Sequence, residues 1–390
     1  MSIYRRDNGK FKVSINYKKL DGKYGRVTKD FKTKREAIAY EPILRSKALG
    51  VAPNDIQFET LAKDFLDESK RIRRYSTYIH YSKIVRLHLL PFFKNIKIGQ
   101  INKADIARWK KELQNEVSPK TGNRYSFLYL CHCFKVLKLI FGYGNKNYEI
   151  SNSSINQEGG FKKDPNAVTP QRVLHYWTPK QFNLFLNTFK SEISRLETQA
   201  PSQAVTLKNT MVFFSICFYA GTRRGETNGL KVEDFHDGDY PYLSVKRSIC
   251  EKVGLGHFLE TNPKNTGSIR DIPIPSKLAK IIREHINTQL SKEYGYRPSF
   301  YLCGGPYPIP SSTADKIKIK IERKAGLPHI KVHDLRHSYV SMLIDANVPI
   351  AVIAKLAGHS SPEITFKIYG HLMPQTQSAA IKKLERIIGK

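Results

Sequence analysis

The chain has 390 residues, 40% of them hydrophobic, and its 65 Lys and Arg outnumber 34 Asp and Glu for a formal net charge of +31. That length and apolar content predict two or three domains with real cores and exclude a wholly disordered basic tail. The excess charge is spread along the chain with Phe and Tyr between the basic residues, which predicts folded surfaces for a polyanion, nucleic acid before membrane.

No run of 18 apolar residues is present, so no transmembrane span is expected. The polar, basic stretch from Met1 to Lys12 lacks the apolar centre of a signal peptide. Five cysteines, an odd number and mostly in apolar segments, predict free thiols in a reducing cytoplasm. Cys131-His132-Cys133 is too tightly spaced for a metal site and no second pair follows, so buried helix positions are expected there.

In chain order, Asp7-Asn8-Gly9 predicts a hairpin turn between strands Ser2–Arg6 and Lys10–Tyr17, and Asp21–Gly25 a second turn before strand Arg26–Phe31. Thr33 and Glu36 form a capping-box pattern opening a helix that stops by Gly50, with Pro42 inside it. The first 50 residues carry 14 Lys and Arg against 5 Asp and Glu, and a three-stranded sheet of this kind can enter a major groove. A helical bundle is predicted over 55–150. One helix opens at Thr60, and a second runs from Ser76 to Leu90 and ends at Pro91. A third, Ala104–Leu113, is capped by Asn102, and the fourth is Tyr125–Phe141. Gly142, Gly144 and a polar stretch through Pro170 predict a linker.

Thr178-Pro179 opens the next region, followed by a buried helix over Leu207–Ala220. Tyr242–Ser248, His257–Thr261 and Ile269–Ile274 alternate like strands of one small antiparallel sheet. Helices are expected at Ser276–Leu290, Ser312–Lys324, His333–Asp345, Ile350–Leu356, Pro362–Tyr369 and Gln375–Ile388. The fold class is therefore α+β and multidomain: an N-terminal three-stranded sheet plus helix, a helical bundle, and a mainly helical C-terminal domain with a small antiparallel sheet.

Breaking and rejoining a phosphodiester through the enzyme requires an oxygen that can hold the phosphoryl end, and a tyrosine serves. Planar arginine forks match the charged non-bridging oxygens. A lysine can protonate the leaving oxygen, and histidines can move protons or bond a phosphate oxygen. His333 and Arg336 stand three apart on one predicted helix, and Arg223 lies where a buried apolar helix ends at Ala220-Gly221. Lys264 lies in the turn Asn262–Gly267 between two predicted strands, and Tyr369 follows His359 by ten residues. No Walker-type loop and no clustered carboxylates suited to Mg²⁺ are present.

These residues resemble the tyrosine recombinase family, the phage and transposon integrases. The matching stretches begin with Gly221-Thr222-Arg223-Arg224-Gly225-Glu226, then Thr261-Asn262-Pro263-Lys264 with Ser268-Ile269-Arg270-Asp271-Ile272-Pro273. They continue with His333-Asp334-Leu335-Arg336-His337-Ser338, Leu356-Ala357-Gly358-His359-Ser360, and Thr365-Phe366-Lys367-Ile368-Tyr369-Gly370-His371.

The resemblance implies Tyr369 as nucleophile, Arg223 and Arg336 on the scissile phosphate, and Lys264 as the acid for the 5′-hydroxyl. It also implies His333 in acid/base transfer and His359 on a phosphate oxygen, with no cofactor and no metal. It implies residues 1–52 as an arm-type DNA-binding domain, 55–150 as a core-binding (SAM-like) domain, 151–170 as a linker and 171–390 as the catalytic domain. The implied partners are double-stranded DNA attachment sites, a homotetramer on DNA, and an excisionase or host DNA-bending protein. The implied setting is the cytoplasm of a bacterial host. The implied function is integration and excision of a phage or other mobile element, with helix 375–388 docking on a neighbouring protomer. A type IB topoisomerase-like enzyme and a non-catalytic DNA-binding regulator on the same scaffold are the alternatives.

Overall fold

Strand alternation at the N-terminus produces a small antiparallel sheet in the computed structural model of the chain. The structure describes residues 3–6, 8–18, 24–48, 55–148, 150, 154–163, 174–251, 258–261, 269–295, 297–372, 381, 385, 388 and 389. The chain divides into two units, Met1–Thr169 and Pro170–Lys390.

In the first unit, β1 (Ile3–Arg5), β2 (Phe11–Lys18) and β3 (Tyr24–Phe31) form a sheet in the order β1-β2-β3. The register pairs Lys12 with Asp30, Ser14 with Thr28 and Asn16 with Arg26. Period two then puts Val13 and Ile15 on the opposite face, where they pack on Ala37 and Leu44 of α1 (Lys34–Ala48). The Thr33–Glu36 capping box forms as predicted, with each backbone N–H donating to the other side chain at 3.2 Å. Pro42 is accommodated within α1.

The bundle comprises α2 (Phe58–Ile72), α3 (Tyr75–Ile84), α4 (Leu90–Phe93), α5 (Lys103–Asn115), α6 (Phe127–Tyr148) and α7 (Ser154–Glu158). Asn102 and Asp105 cap α5 reciprocally at 3.1 Å. Three boundaries differ from the sequence expectation. The helix expected at Thr60 starts at Phe58, because the chain just before it is held by bonds from Phe58 N–H to Ile96 O (3.0 Å) and from Ile98 N–H to Ile56 O (2.8 Å).

Pro91 does not end the second helix. A wide π turn over Val85–Leu89 precedes it and lets a further turn, α4, follow, relieving the clash a proline makes with the preceding helical turn. Nor does α6 stop at Gly142. It runs past Gly144, where a Cβ would lie 2.9 Å from Leu61 Cδ2, so glycine permits close approach to α2. Part of the expected linker is also folded: Ile155 and Phe161 lie in the bundle core, and Lys110 pairs with Glu158 at 2.8 Å.

By length and composition alone α6 is apolar enough to cross a membrane, although it holds no run of 18 apolar residues. Its Leu130, Cys133, Phe134, Leu137, Ile140 and Phe141 are packed in the bundle core. None of the five cysteines is in a disulfide. Cys133 is buried and Cys131 half-buried on α6.

In the second unit, Thr178 caps α8 (Pro179–Gln199) in a box with Gln181, and α9 (Pro201–Tyr219) packs against it. Phe182 and Phe218 stack at 3.8 Å between these helices. After α10 (Arg224–Gly229), the strands expected as one sheet form two. β4 (Phe235–His236), β5 (Tyr242–Val245) and β8 (Arg270–Pro273) make one, and β6 (Ser248–Glu251) with β7 (Phe258–Thr261) makes a separate hairpin. His257, expected in the latter strand, lies outside the described residues.

Helices α11 (Ser276–Glu284), α12 (Ser291–Tyr294), α13 (Ser311–Lys324), α14 (Val332–Asp345), α15 (Ile350–Ala357) and α16 (Pro362–Tyr369) complete the unit. The expected helix Ser276–Leu290 is α11 continued by a π turn over His285–Leu290. The expected helix 375–388 lies mostly outside the described residues.

Candidate active site

Two chain corners and one helix build the site. At the first corner the buried α9 ends at Ala220, and Gly221 turns the chain at φ 60°. A Cβ there would meet the Tyr339 ring of α14 at 2.1 Å, so only glycine lets the corner close on that helix. Thr222 is buried, its hydroxyl 2.6 Å from that of Thr227. Arg223 then emerges as the residue capping α10. Its backbone N–H donates to Glu226 Oε2 at 3.0 Å, and its guanidinium to Glu226 Oε1 at 2.6 Å. Its other arm, Nη2, reaches Gly358 O at 2.8 Å.

Gly358 forms the second corner. It ends α15 in the left-handed conformation at φ 65°, and His359 N–H bonds back to Ala354 O at 2.9 Å. A Cβ at Gly358 would lie 2.7 Å from Arg270 Nη1. Helix α14 supplies Arg336, only 2% exposed, whose Nη1 donates to Gly221 O at 2.8 Å while its Nη2 has no partner. Burial, then the nearby Arg223 charge, pushes the Arg336 guanidinium down to about 9, with Glu226 opposing. It is still charged at neutral pH.

Glu226, 3% exposed, joins three strands of this network. It binds Arg223 and also Arg270 Nη2 at 3.1 Å, and Arg270 Nε donates to Leu356 O at 2.9 Å. Burial alone would raise the Glu226 carboxyl, but Arg270 and Arg223 outweigh it and hold the group below the usual range. Glu226→Gln leaves buried guanidinium groups without their counter-charge. The expected outcome is a loss of about 3–5 kcal/mol, read as a lower denaturant midpoint.

His359 is half-buried, its Nδ1 2.7 Å from the Thr365 hydroxyl. Burial first, then Arg336, Arg223 and Arg270, pushes it down to about 4, so it is a neutral imidazole at physiological pH. Tyr369, the last residue of α16, is 1% exposed in a small core with Tyr339, Val340, Ile344 and Ile353. Its hydroxyl lies 2.5 Å from His337 Nδ1.

His333, on the first turn of α14, is exposed, and its ring meets that of His337 edge-on with centroids 5.1 Å apart. The shared helix thus carries Arg336 into the interior and His333 to the surface. Arg224 turns away from this centre and pairs with Asp315. Lys264 lies outside the described residues.

The structure thus gathers Arg223, His333, Arg336, His359 and Tyr369 into one place. Two neighbours were not among the sequence candidates. Arg270 had a signal: alternation along β8 puts it on the inward side with Ile272, and an inward arginine needs partners. His337 lies four residues after His333 on the same helix, but its partner Tyr369 is 32 residues further on, and no spacing rule connects them.

Two guanidinium groups, imidazoles and a phenol in one place are chemistry for phosphodiester transfer. Residues 184–376 match the Phage integrase family, and residues 57–114 match the Phage integrase, N-terminal SAM-like domain. The tyrosine recombinase XerC-like protein of Caldanaerobacter subterraneus subsp. tengcongensis is 28% identical over 93% of this chain and 90% of its own. The ICEBs1 integrase of Bacillus subtilis is 24% identical over the whole of both chains. Among solved structures, the Tn1549 transposon integrase matches with a TM-score of 0.57 and 16% identity, covering 86% of this chain and 100% of that one. A lambda integrase tetramer bound to a Holliday junction matches with a TM-score of 0.51 and 14% identity over 93% and 96%. This chain belongs to the phage integrase family of tyrosine recombinases, enzymes of site-specific DNA recombination.

Proposed function

We propose that the chain is the integrase of a phage or integrative element and cuts DNA through a 3′-phosphotyrosine at Tyr369. The observation that carries this is the buried, charged Arg336 with an unpartnered Nη2 beside Arg223. A buried cation with a spare donor is costly unless an anion completes it, and a scissile phosphate fits. Arg223 and Arg336 bear the charge that grows on the non-bridging oxygens. His359, neutral and held by Thr365, donates to a phosphate oxygen. Lys264 protonates the leaving 5′-oxygen, and His333 takes part in acid/base transfer. No metal or nucleotide is needed for this chemistry.

The wider organisation follows the same reading. Residues 1–52 contact arm-type DNA, 55–150 contact the core site, 151–170 link them to the catalytic region and 171–390 carry the chemistry. The open sheet face supports the first assignment, with Tyr4, Lys12 and Arg26 displayed and Arg26 Nε bonded to Ser14 Oγ at 2.7 Å. The lambda and Tn1549 integrases, captured on DNA, support DNA as ligand, and the lambda tetramer on a Holliday junction supports a tetramer as the working assembly. An excisionase or host DNA-bending protein and a cytoplasmic setting belong to the same proposal.

The test is incubation of the full chain, in EDTA, with nicked, labelled duplexes spanning the joined ends of the element that carries its gene. An SDS-resistant protein–DNA adduct with a free 5′-hydroxyl is expected. A requirement for Mg²⁺, or a free 3′-hydroxyl product, would overturn the proposal.

A further inference from the structure

Which group takes the proton from the nucleophile is a question of contact, and the hydroxyl of Tyr369 lies 2.5 Å from Nδ1 of His337. His337 is 5% exposed. On its other side, His337 Nε2 stands 3.9 Å from Asp334 Oδ1, one turn back on α14. That carboxylate is held in place, because its Oδ2 accepts the Lys331 N–H at 2.7 Å. A fixed carboxylate near Nε2 favours the tautomer with its proton there. The lone pair of Nδ1 then faces the phenol. His333 packs on the same imidazole from the exposed side, and Arg336 lies on the same helix.

We propose that His337 is a catalytic residue that accepts the phenolic proton of Tyr369, oriented for this by Asp334. This rests on the reading that Tyr369 is the nucleophile. As Tyr369 Oη bonds to phosphorus, its O–H bond breaks and the proton passes to His337 Nδ1. The P–O5′ bond breaks, and the 5′-oxygen takes a proton from a separate acid, the role proposed for Lys264. The imidazolium is stabilised by Asp334. It returns its proton to Oη when a 5′-hydroxyl attacks the phosphotyrosine in the reverse step, so the ligation half-reaction uses the same residue as an acid. His337 touches the phenol directly.

The experiment uses the full chain and the nicked duplexes described above, with single-turnover adduct formation as the readout. The wild type must first form the adduct and Tyr369→Phe must not. Failure there strikes the nucleophile assignment and not His337. Given that adduct, His337→Gln is expected to slow its formation roughly 10²-fold, the scale of one acid–base contribution, with DNA binding kept.

Two further arms separate a proton acceptor from a packing residue. A duplex with a 5′-bridging sulfur at the scissile bond needs no leaving-group proton, and His337→Gln is expected to stay slow on it. Incorporating 3-fluorotyrosine at 369, a more acidic phenol, is expected to recover at least part of the lost rate. A loss under threefold, full rescue by the bridging sulfur, or no gain from fluorotyrosine would each overturn the proposal. Should His337→Gln not fold, the wild type with fluorotyrosine at 369 still decides. A pH limb that stays in place supports a separate base, and one that moves with the phenol contradicts it.

Discussion

Tyr369→Phe is expected to abolish covalent adduct formation entirely while leaving DNA binding within about twofold. The substitution removes one oxygen from a side chain that is 1% exposed and packed among Tyr339, Val340, Ile344 and Ile353. The ring and its packing remain, so the helix pair α15–α16 keeps its core. What is lost is the hydroxyl that faces His337. Leaving Nδ1 of a buried imidazole without that partner costs about 1–3 kcal/mol, a shift visible in thermal unfolding yet too small to unfold a chain of this size. Activity and stability therefore separate cleanly. Adduct assays and a gel-shift on the same preparation check both parts, and any residual adduct above background contradicts the nucleophile assignment.

Arg336→Ala is the second large effect, with cleavage expected to fall by roughly 10³-fold or more, as when a charge-stabilising donor is removed from a phosphoryl-transfer site. Stability follows a different course. Burying the guanidinium beside Arg223 and Arg270 disfavours its charged form, which is why it is pushed down to about 9. A base whose folded-state pKa lies below its unfolded one destabilises the fold while it is charged, which here means at every pH below about 9. Truncation relieves that cost but opens a cavity and frees the Gly221 carbonyl. The two effects oppose, so the melting temperature is expected to change far less than the rate. Arg336→Lys keeps the charge without the planar fork and should fall between wild type and Ala. Single-turnover cleavage and calorimetry on the three proteins check the ordering. A variant that loses stability and activity in proportion would contradict a role for Arg336 on the phosphate.

Local signals in the sequence read through to structure where short-range chemistry decides. The box at Thr33/Glu36, the Thr178-Pro179 pair and the cap at Asn102 each mark a helix start. Pro362 and Tyr369 bound α16 as expected. Two of the misreadings concern local helix breakers that the folded chain passes. Gly144 continues a helix because Leu61 of another helix packs against it, and Pro91 is passed because the preceding turn widens.

The site divides the same way. Arg223, His333, Arg336, His359 and Tyr369 stand in motifs whose order and spacing are legible in the sequence. Their division of labour is not, since burial puts His333 outside and Arg336 inside on one helix, and only the folded chain brings His337 to Tyr369. Arg270 and Glu226 form the support that no motif spells out as such: a buried carboxylate shared by two arginines.

The central claim is that DNA becomes joined to Tyr369 itself. The direct measurement is trypsin digestion of the SDS-resistant adduct, nuclease trimming and mass spectrometry of the peptide that bears the residual nucleotide. The account predicts that the nucleotide mass sits on the peptide beginning at Ile368, with fragmentation placing a 3′-phosphate on Tyr369. The same mass on any other tyrosine, or on a serine or histidine, would contradict it.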